Sequence, residues 1–198
     1  MLRASSFFAG ALCNKKDRYG IVCVYSYAFL EVNALLNKLI PRQHVNTIYE
    51  IELDTLWKQG YRGIITDLDN TLVGAKAPLA TPELIDWLKV VGQLGFQIVI
   101  VSNNQRTRVS KFAEPLSLPF IYRARKPTNG AFRKALKMMD LRAEETVVIG
   151  DQMLTDVLGG NRLGLHTILV HPISPTEEGF FTKVNRTLEK AALMMMKR

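Results

Sequence analysis

Six residues, Asp67-Leu68-Asp69-Asn70-Thr71-Leu72, set two carboxylates two positions apart directly after the apolar run Gly63-Ile64-Ile65-Thr66. If strand geometry continues through them, both carboxylates point the same way. Like charges brought together need a compensating cation or a shared proton. The alternative is a turn in which Asp and Asn only satisfy the backbone. Three further polar clusters follow other apolar runs: Ser102-Asn103-Asn104, then Arg123, Arg125 and Lys126, then Gly150-Asp151-Gln152 with Asp156 five residues after Asp151. Each has an ordinary reading alone, Ser102 as a helix cap, Lys126 as a solvated cation, Asp151 as a turn residue. A hydroxyl, an ammonium and several carboxylates converging on one edge suit phosphoryl transfer, where positioning and charge neutralisation do most of the catalysis.

The elements between these clusters must bring them together. Residues 63–67 read as a buried strand, and 96–101, 119–122, 146–149 and 167–170 as further strands. Thr81-Pro82 reads as a helix start, with Leu84, Trp87, Leu88 and Val91 on one face. Residues 107–114 read as a short helix stopped by Pro115, and residues 156–162 as a helix ended by Gly164. Pro127 is expected to open another helix, with Phe132, Ala135, Leu136 and Met139 inward. Residues 34–59 read as helical with an interruption near Pro41, Asp54 capping a short helix that Gly60 ends. Apolar strands alternating with amphipathic helices imply an α/β fold, a three-layer parallel sheet covered on both faces. Ligands of such sheets bind beyond the carboxyl ends of the strands.

The four clusters, in this order, resemble the motifs of the haloacid dehalogenase (HAD) superfamily in its phosphatase branch. Asp67-x-Asp69-x-Thr71 matches the first motif, Ser102 the second, Lys126 the third, and Gly150-Asp151 with Asp156 the fourth. The match runs over residues 63–170. The resemblance implies a Rossmann-like fold and an enzyme with Asp67 as nucleophile, forming an acyl phosphate, and Asp69 as general acid and base. It implies a Mg2+ ion on the Asp67 carboxylate, the Asp69 main-chain carbonyl and Asp151, with Asp156 acting through water or steadying its neighbours. Ser102 and Lys126 would hold the transferring phosphoryl group, Thr71 and Asn103 would join Lys126 in binding the phosphate, and Thr71 would also fix the loop through backbone hydrogen bonds.

Spacing narrows the expectation. Residues 72–96 have room for a loop and one helix, and residues 104–126 for a short helix and a short strand. Neither interval holds a cap domain, so the site should be open to a phosphate carried on something large. The strand and motif Gly63-Ile-Ile-Thr-Asp-Leu-Asp-Asn-Thr-Leu-Val, with Arg125-Lys126-Pro127 and Gly150-Asp-Gln-Met-Leu-Thr-Asp, is similar to the YqeG family of subfamily III A. That family is related to the mitochondrial phosphatidylglycerophosphate phosphatases. The resemblance implies hydrolysis of phosphatidylglycerophosphate to phosphatidylglycerol and phosphate.

Composition is compatible with this. The chain has 198 residues, a formal charge of +8 and a pI of about 9.6, a surface that attracts anions without naming one. Cys13 and Cys23 make neither a disulfide framework nor a zinc site, which suits a reducing cytoplasm. Residues 1–33 read as an N-terminal extension outside the domain at 34–198: disordered, touching a membrane, or an artefact of a misassigned start. Their apolar run at 21–30 is too short to span a bilayer. Near the C-terminus, Val184, Leu188, Ala191, Ala192 and Met195 form an apolar stripe among Lys183, Arg186, Lys190, Lys197 and Arg198. Such a helix either packs on the domain or lies on an anionic membrane from the cytoplasmic side. Arg106, Arg108, Arg123 and Arg125 are candidates for an anionic-substrate rim, and the three histidines receive no role. Two rival readings stand beside the phospholipid head group as substrate. One is a phosphatase for a protein, a nucleic acid end or a soluble ester. The other is a basic RNA- or ribosome-binding protein in which catalysis is secondary, although the aromatic residues form no RNA-stacking motif.

Overall fold

The computed structural model describes residues 36–177, 182, 184–189 and 194. By internal packing the chain divides into units at Met1–Asn37 and Lys38–Arg198. The expectation for residues 1–33 lies outside the described residues. The second unit is built on one six-stranded, all-parallel sheet of order β1-β6-β5-β2-β3-β4. The strands are β1 (Gln43–Val45), β2 (Gly63–Thr66), β3 (Gln97–Val101), β4 (Phe120–Ile121), β5 (Thr146–Gly150) and β6 (His166–Val170). The helices are α1 (Leu53–Lys58), α2 (Pro82–Gln93), α3 (Arg106–Ala113), α4 (Asn129–Met139) and α5 (Leu158–Leu163). This is the three-layer α/β architecture that the pattern of apolar runs implies.

Period-2 alternation explains why both faces are covered. Ile64, Ile100, Val147 and Ile149 point to one side, where they meet Leu84, Trp87 and Val91 of α2 and Val109 and Phe112 of α3. Their neighbours Ile65, Val99, Val101 and Val148 point to the other, against Phe132, Ala135 and Met139 of α4. Strands buried on both faces must be apolar throughout, which is why β2 and β5 read as unbroken runs. Two glycines permit close layers. A Cβ on Gly159 would sit 2.4 Å from the Phe132 ring, and one on Gly160 would sit 2.6 Å from Thr167.

Several expectations about the elements are corrected. Residues 34–59 are not one interrupted helix. Leu36 and Asn37 are helical, but Gln43–Val45 is an edge strand paired with Ile168–Val170 of β6. Glu52, not Asp54, holds the N-cap position of α1, and Asp54 sits in its first turn. Pro127 does not open α4: Thr128 is its N-cap and the helix begins at Asn129. The segment after Asp151 does not run as one α-helix from Asp156, because Met153–Val157 forms a wider π-type turn before α5. The start of α2 is as expected, with the Thr81 hydroxyl accepting from the Leu84 N–H at 3.2 Å and Pro82 in the first turn. Between the second and third clusters the chain holds α3, a 3-10 turn at Glu114–Leu116 and β4, so this interval contains no cap domain.

Candidate active site

Each polar cluster leaves the carboxyl end of a different strand. Asp67 follows β2, Ser102 follows β3, Lys126 lies beyond β4, and Asp151 follows β5. Because β5, β2, β3 and β4 are consecutive in the sheet, parallel pairing delivers all four to one edge. The Asp67 N–H continues the sheet by donating to the Ile149 carbonyl at 3.0 Å, and the Thr66 hydroxyl donates to the Asp67 carbonyl at 2.8 Å. The chain then turns sharply. The Leu68 carbonyl accepts from the N–H groups of Leu72 at 3.0 Å and Val73 at 3.3 Å, while Asn70 adopts a left-handed φ of 67°. Asparagine tolerates that conformation better than most residues. The Asn70 side chain also accepts from the Ser174 N–H at 3.1 Å, which ties the loop to the segment after β6.

Lys126 is the hub of the site. Its buried ammonium lies 2.8 Å from Asp67 Oδ1 and 2.7 Å from Asp156 Oδ1. Burying an ammonium is tolerable only with such partners, and the two carboxylates hold its pKa well above the usual lysine value against the opposing effect of burial. The loop that delivers it is unusual, with Arg123 and Arg125 both at positive φ (46° and 55°). Non-glycine residues hold such angles where the surroundings over-determine them. Asn103 supplies part of that determination: its Oδ1 accepts from the Lys126 N–H at 2.7 Å and its amide donates to the Lys126 carbonyl at 3.3 Å. In this arrangement Asn103 is a strap on the Lys126 backbone. Ser102 is buried, and its Oγ accepts from the Asn104 N–H at 3.1 Å.

Asp67, Asp151 and Asp156 are all buried, and each offers an oxygen within 4.8 Å of the others. Burial first, and then the neighbouring carboxylates, push Asp67 up from 3.8 to about 6 and Asp151 to about 8. Lys126 and Arg186 oppose this but do not cancel it. Three buried carboxylates against two cations, Lys126 and Arg186, leave the cluster one positive charge short, and hard oxygen donors of this kind fit a small divalent cation. The Thr71 hydroxyl donates to Asp151 Oδ1 at 3.3 Å, an interaction with the acid cluster rather than only with its own loop. Asp156 is further placed by Thr155 Oγ1 at 3.1 Å and the Gln152 N–H at 3.3 Å.

The Asp69 carboxylate is not part of this triad. Arg108 Nε donates to its Oδ1 at 3.0 Å, Arg108 Nη2 lies 2.8 Å from the same oxygen, and Asn104 donates to Oδ2 at 2.9 Å. The two aspartates therefore stand in separate environments, Asp67 against a buried lysine and Asp69 against a partly exposed arginine. Two groups so divided can take different parts in one reaction.

Sequence reasoning missed Arg108 and Asn104 as partners of Asp69, and also the contribution of the C-terminal segment. Residues 184–189 are helical, and Arg186 reaches the carboxylate and the carbonyl of Asp151. Glu189 accepts from the Leu154 N–H at 3.0 Å, and Asn185 donates to Gln152 at 3.3 Å. The polar face of this segment thus docks on the turn after β5, while Val184 and Leu188 are exposed. Ala191, Ala192, Met195, Lys183, Lys190, Lys197 and Arg198 lie outside the described residues. Among the described residues no helix is long and apolar enough to cross a membrane.

Comparison with known proteins finds relatives of this chain. A HAD-hydrolase-like family model matches residues 123–172. The Bacillus subtilis protein named "Probable phosphatase YqeG" is 50% identical over 159 residues, spanning 80% of this chain and 92% of that one. The phosphatidylglycerophosphate phosphatase 1 of Arabidopsis thaliana chloroplasts and mitochondria is 28% identical over 167 residues, 78% of this chain but 47% of that protein, so the chain matches about half its length. Among solved structures, the cobalt-bound deoxy-D-mannose-octulosonate 8-phosphate phosphatase of Haemophilus influenzae covers 64% of this chain and 73% of its own, at 16% identity and a TM-score of 0.48. With half of its residues shared along nearly the whole of the Bacillus relative, and with the acid and lysine clusters at the expected sheet edge, this chain belongs to the haloacid dehalogenase superfamily as a phosphatase of the YqeG family.

Proposed function

We propose that the protein is a Mg2+-dependent phosphomonoesterase that works through a phospho-aspartate on Asp67, and that its substrate is phosphatidylglycerophosphate. The observation that supports the chemistry best is the Lys126 ammonium, 2.8 Å from Asp67 and 2.7 Å from Asp156. It fixes the Asp67 carboxylate at the sheet edge and leaves a cation beside the place where a phosphoryl group would arrive.

Asp67 attacks phosphorus, forming a P–O bond to its carboxylate as the bond to the ester oxygen breaks. Asp69 gives its proton to the leaving alkoxide. Asp69 then takes a proton from a water molecule, which attacks phosphorus and breaks the Asp67–phosphorus bond, returning the free carboxylate and inorganic phosphate. Arg108 and Asn104 position Asp69 for both transfers. Lys126 and Ser102 hold the phosphoryl oxygens. Asp67, Asp151 and Asp156 are the side chains that would hold Mg2+, with the Asp69 carbonyl as a further ligand. When bound, the ion supplies charge neutralisation between carboxylate and phosphate.

The lipid substrate is supported by the likeness to the Arabidopsis enzyme, by the net charge of +8 and by the absence of a cap between the second and third clusters. A basic surface favours an anionic lipid layer, and contact from the cytoplasmic side would need no spanning helix. The test is phosphate release from phosphatidylglycerophosphate in mixed micelles with Mg2+, with Asp67→Asn as control. Rapid release by the wild type alone is expected. An inert lipid beside an active aryl phosphate would leave the chemistry and remove the substrate.

A further inference from the structure

A groove of about 740 Å3 opens on the same carboxyl edge of the sheet, on the β1 and β6 side of the Asp67 loop. Leu72, Val73 and Gly74, the continuation of the Asp67–Thr71 loop, form one wall. Tyr49 and Ile173 form another, and Ala77 lies further along. A narrower cavity of about 50 Å3 shares Leu72, Tyr49 and Ile173 and runs inward to Thr71, whose hydroxyl bonds Asp151. The groove and the acid cluster are therefore two sides of one loop. They are also fastened together, since the Ile173 N–H donates to the Asn70 carbonyl at 3.1 Å and the Ser174 N–H to the Asn70 side chain.

The lining gives the groove its chemistry. Asn46, Thr47, Thr81, Glu83 and His171 add polar groups to a lining that is otherwise apolar apart from the Tyr49 hydroxyl, and no lysine or arginine is among them, so the groove does not suit a second anion. Of the lining residues Ile173 is 53% accessible, and Leu79, which lies in the chain between the lining residues Ala77 and Thr81 without lining the groove itself, is 61% accessible. Exposed apolar carbon gathered around an apolar groove marks a place where apolar matter binds.

We propose that this groove is a subsite for the acyl chain of the phosphomonoester whose phosphate lies at Asp67 and Lys126. The assignment rests on the lipid reading above and adds where the apolar part of the substrate goes. One face of the nucleophile loop handles the phosphate and the other handles the hydrocarbon.

The test uses butyl, octyl and dodecyl phosphate below their micelle concentrations, so that no lipid surface takes part. A fully buried methylene contributes about fourfold in binding, and a half-buried one roughly twofold. From butyl to octyl phosphate the wild type should gain about tenfold or more in kcat/KM. Ala77→Trp, which fills the groove, and Ile173→Asp, which charges its mouth, should flatten that rise to about twofold or less. Ile173 is exposed, so its replacement should keep the fold, to be checked by thermal melting. A wild type without chain-length dependence would overturn the assignment, as would two folded variants that keep it. The substrate reading fails separately: inert phosphatidylglycerophosphate with an intact chain-length gradient removes the pathway and supports the groove, whereas cleaved phosphatidylglycerophosphate without a gradient does the reverse.

Discussion

Replacing Lys126 by methionine, which keeps an unbranched stem and removes the charge, should strip the buried carboxylates of their counter-ion. At 2.7 and 2.8 Å, and with an effective dielectric near 20, each contact is worth roughly 6 kcal/mol of Coulomb attraction. Desolvation of the buried ammonium takes back several kcal/mol, and breaking a buried pair from one side costs about 3–5 kcal/mol net. That is a large share of the stability of an ordinary domain. The loss should depend on pH. Burial holds Asp67 up at about 6 in the wild type even beside Lys126, so at pH 5 it is mostly protonated and less counter-charge is needed, whereas at pH 8 it is charged. Urea unfolding of metal-free wild type and Lys126→Met should therefore differ by about 3–5 kcal/mol at pH 8 and by clearly less at pH 5. Phosphate release with saturating Mg2+ should fall by about 10²–10³. Equal unfolding midpoints at pH 8, or a deficit that is the same at both pH values, would refute the claim that Lys126 acts by neutralising Asp67 and Asp156.

Three other consequences can be checked. Gly150→Ala would place a Cβ 2.3 Å from Asp156 Cγ and 2.4 Å from its Cβ, the latter fixed to the backbone and unable to swing away; calorimetric titration should show Mg2+ affinity reduced by about tenfold or more, with about 1–3 kcal/mol lost in stability. In the metal-free protein, burial raises Asp67 and Asp151 above their ordinary value of 3.8, so between about pH 4 and 8 the folded state holds more protons than the unfolded chain. Stability should then fall as pH rises through that window, and added Mg2+ should restore it most at the alkaline end, as thermal melts at fixed ionic strength would show. Arg108→Ala should lower kcat by about a hundredfold by releasing Asp69, and leave melting of the fold nearly unchanged because Arg108 sits at a partly exposed helix position; steady-state kinetics beside a melt separates the two.

Which residues meet at one edge of the sheet was legible in the sequence because each is announced locally. Asp67, Ser102, Lys126 and Asp151 each follow a strand whose apolar run announces it, and parallel strands put their ends on one edge. The strand β1 was not legible. Its three residues, Gln43, His44 and Val45, carry one aliphatic side chain, and their extended form depends on β6, more than a hundred residues away. The start of α4 was misplaced because Pro127 suits a first turn, while Thr128 takes the cap. Arg108 was seen as part of an anionic rim rather than as the holder of Asp69. The signal was its position in the first turn of a helix that follows Ser102-Asn-Asn, which aims it back across the sheet edge. Nothing local to Arg186 announces that it reaches Asp151, 35 residues earlier. That contact follows from how the last helical residues dock on the turn after β5.

The central claim is that phosphate passes through Asp67, and the most direct measurement is to catch it there. Protein turning over a radiolabelled phosphate monoester is quenched in acid, the acyl phosphate is reduced with borohydride, and the position of reduction is read by peptide mass spectrometry. Label should appear within one turnover, disappear on chase with unlabelled substrate, and map to Asp67. Turnover without any acid-stable label on the protein, or label on another residue with Asp67→Asn still active, would contradict it.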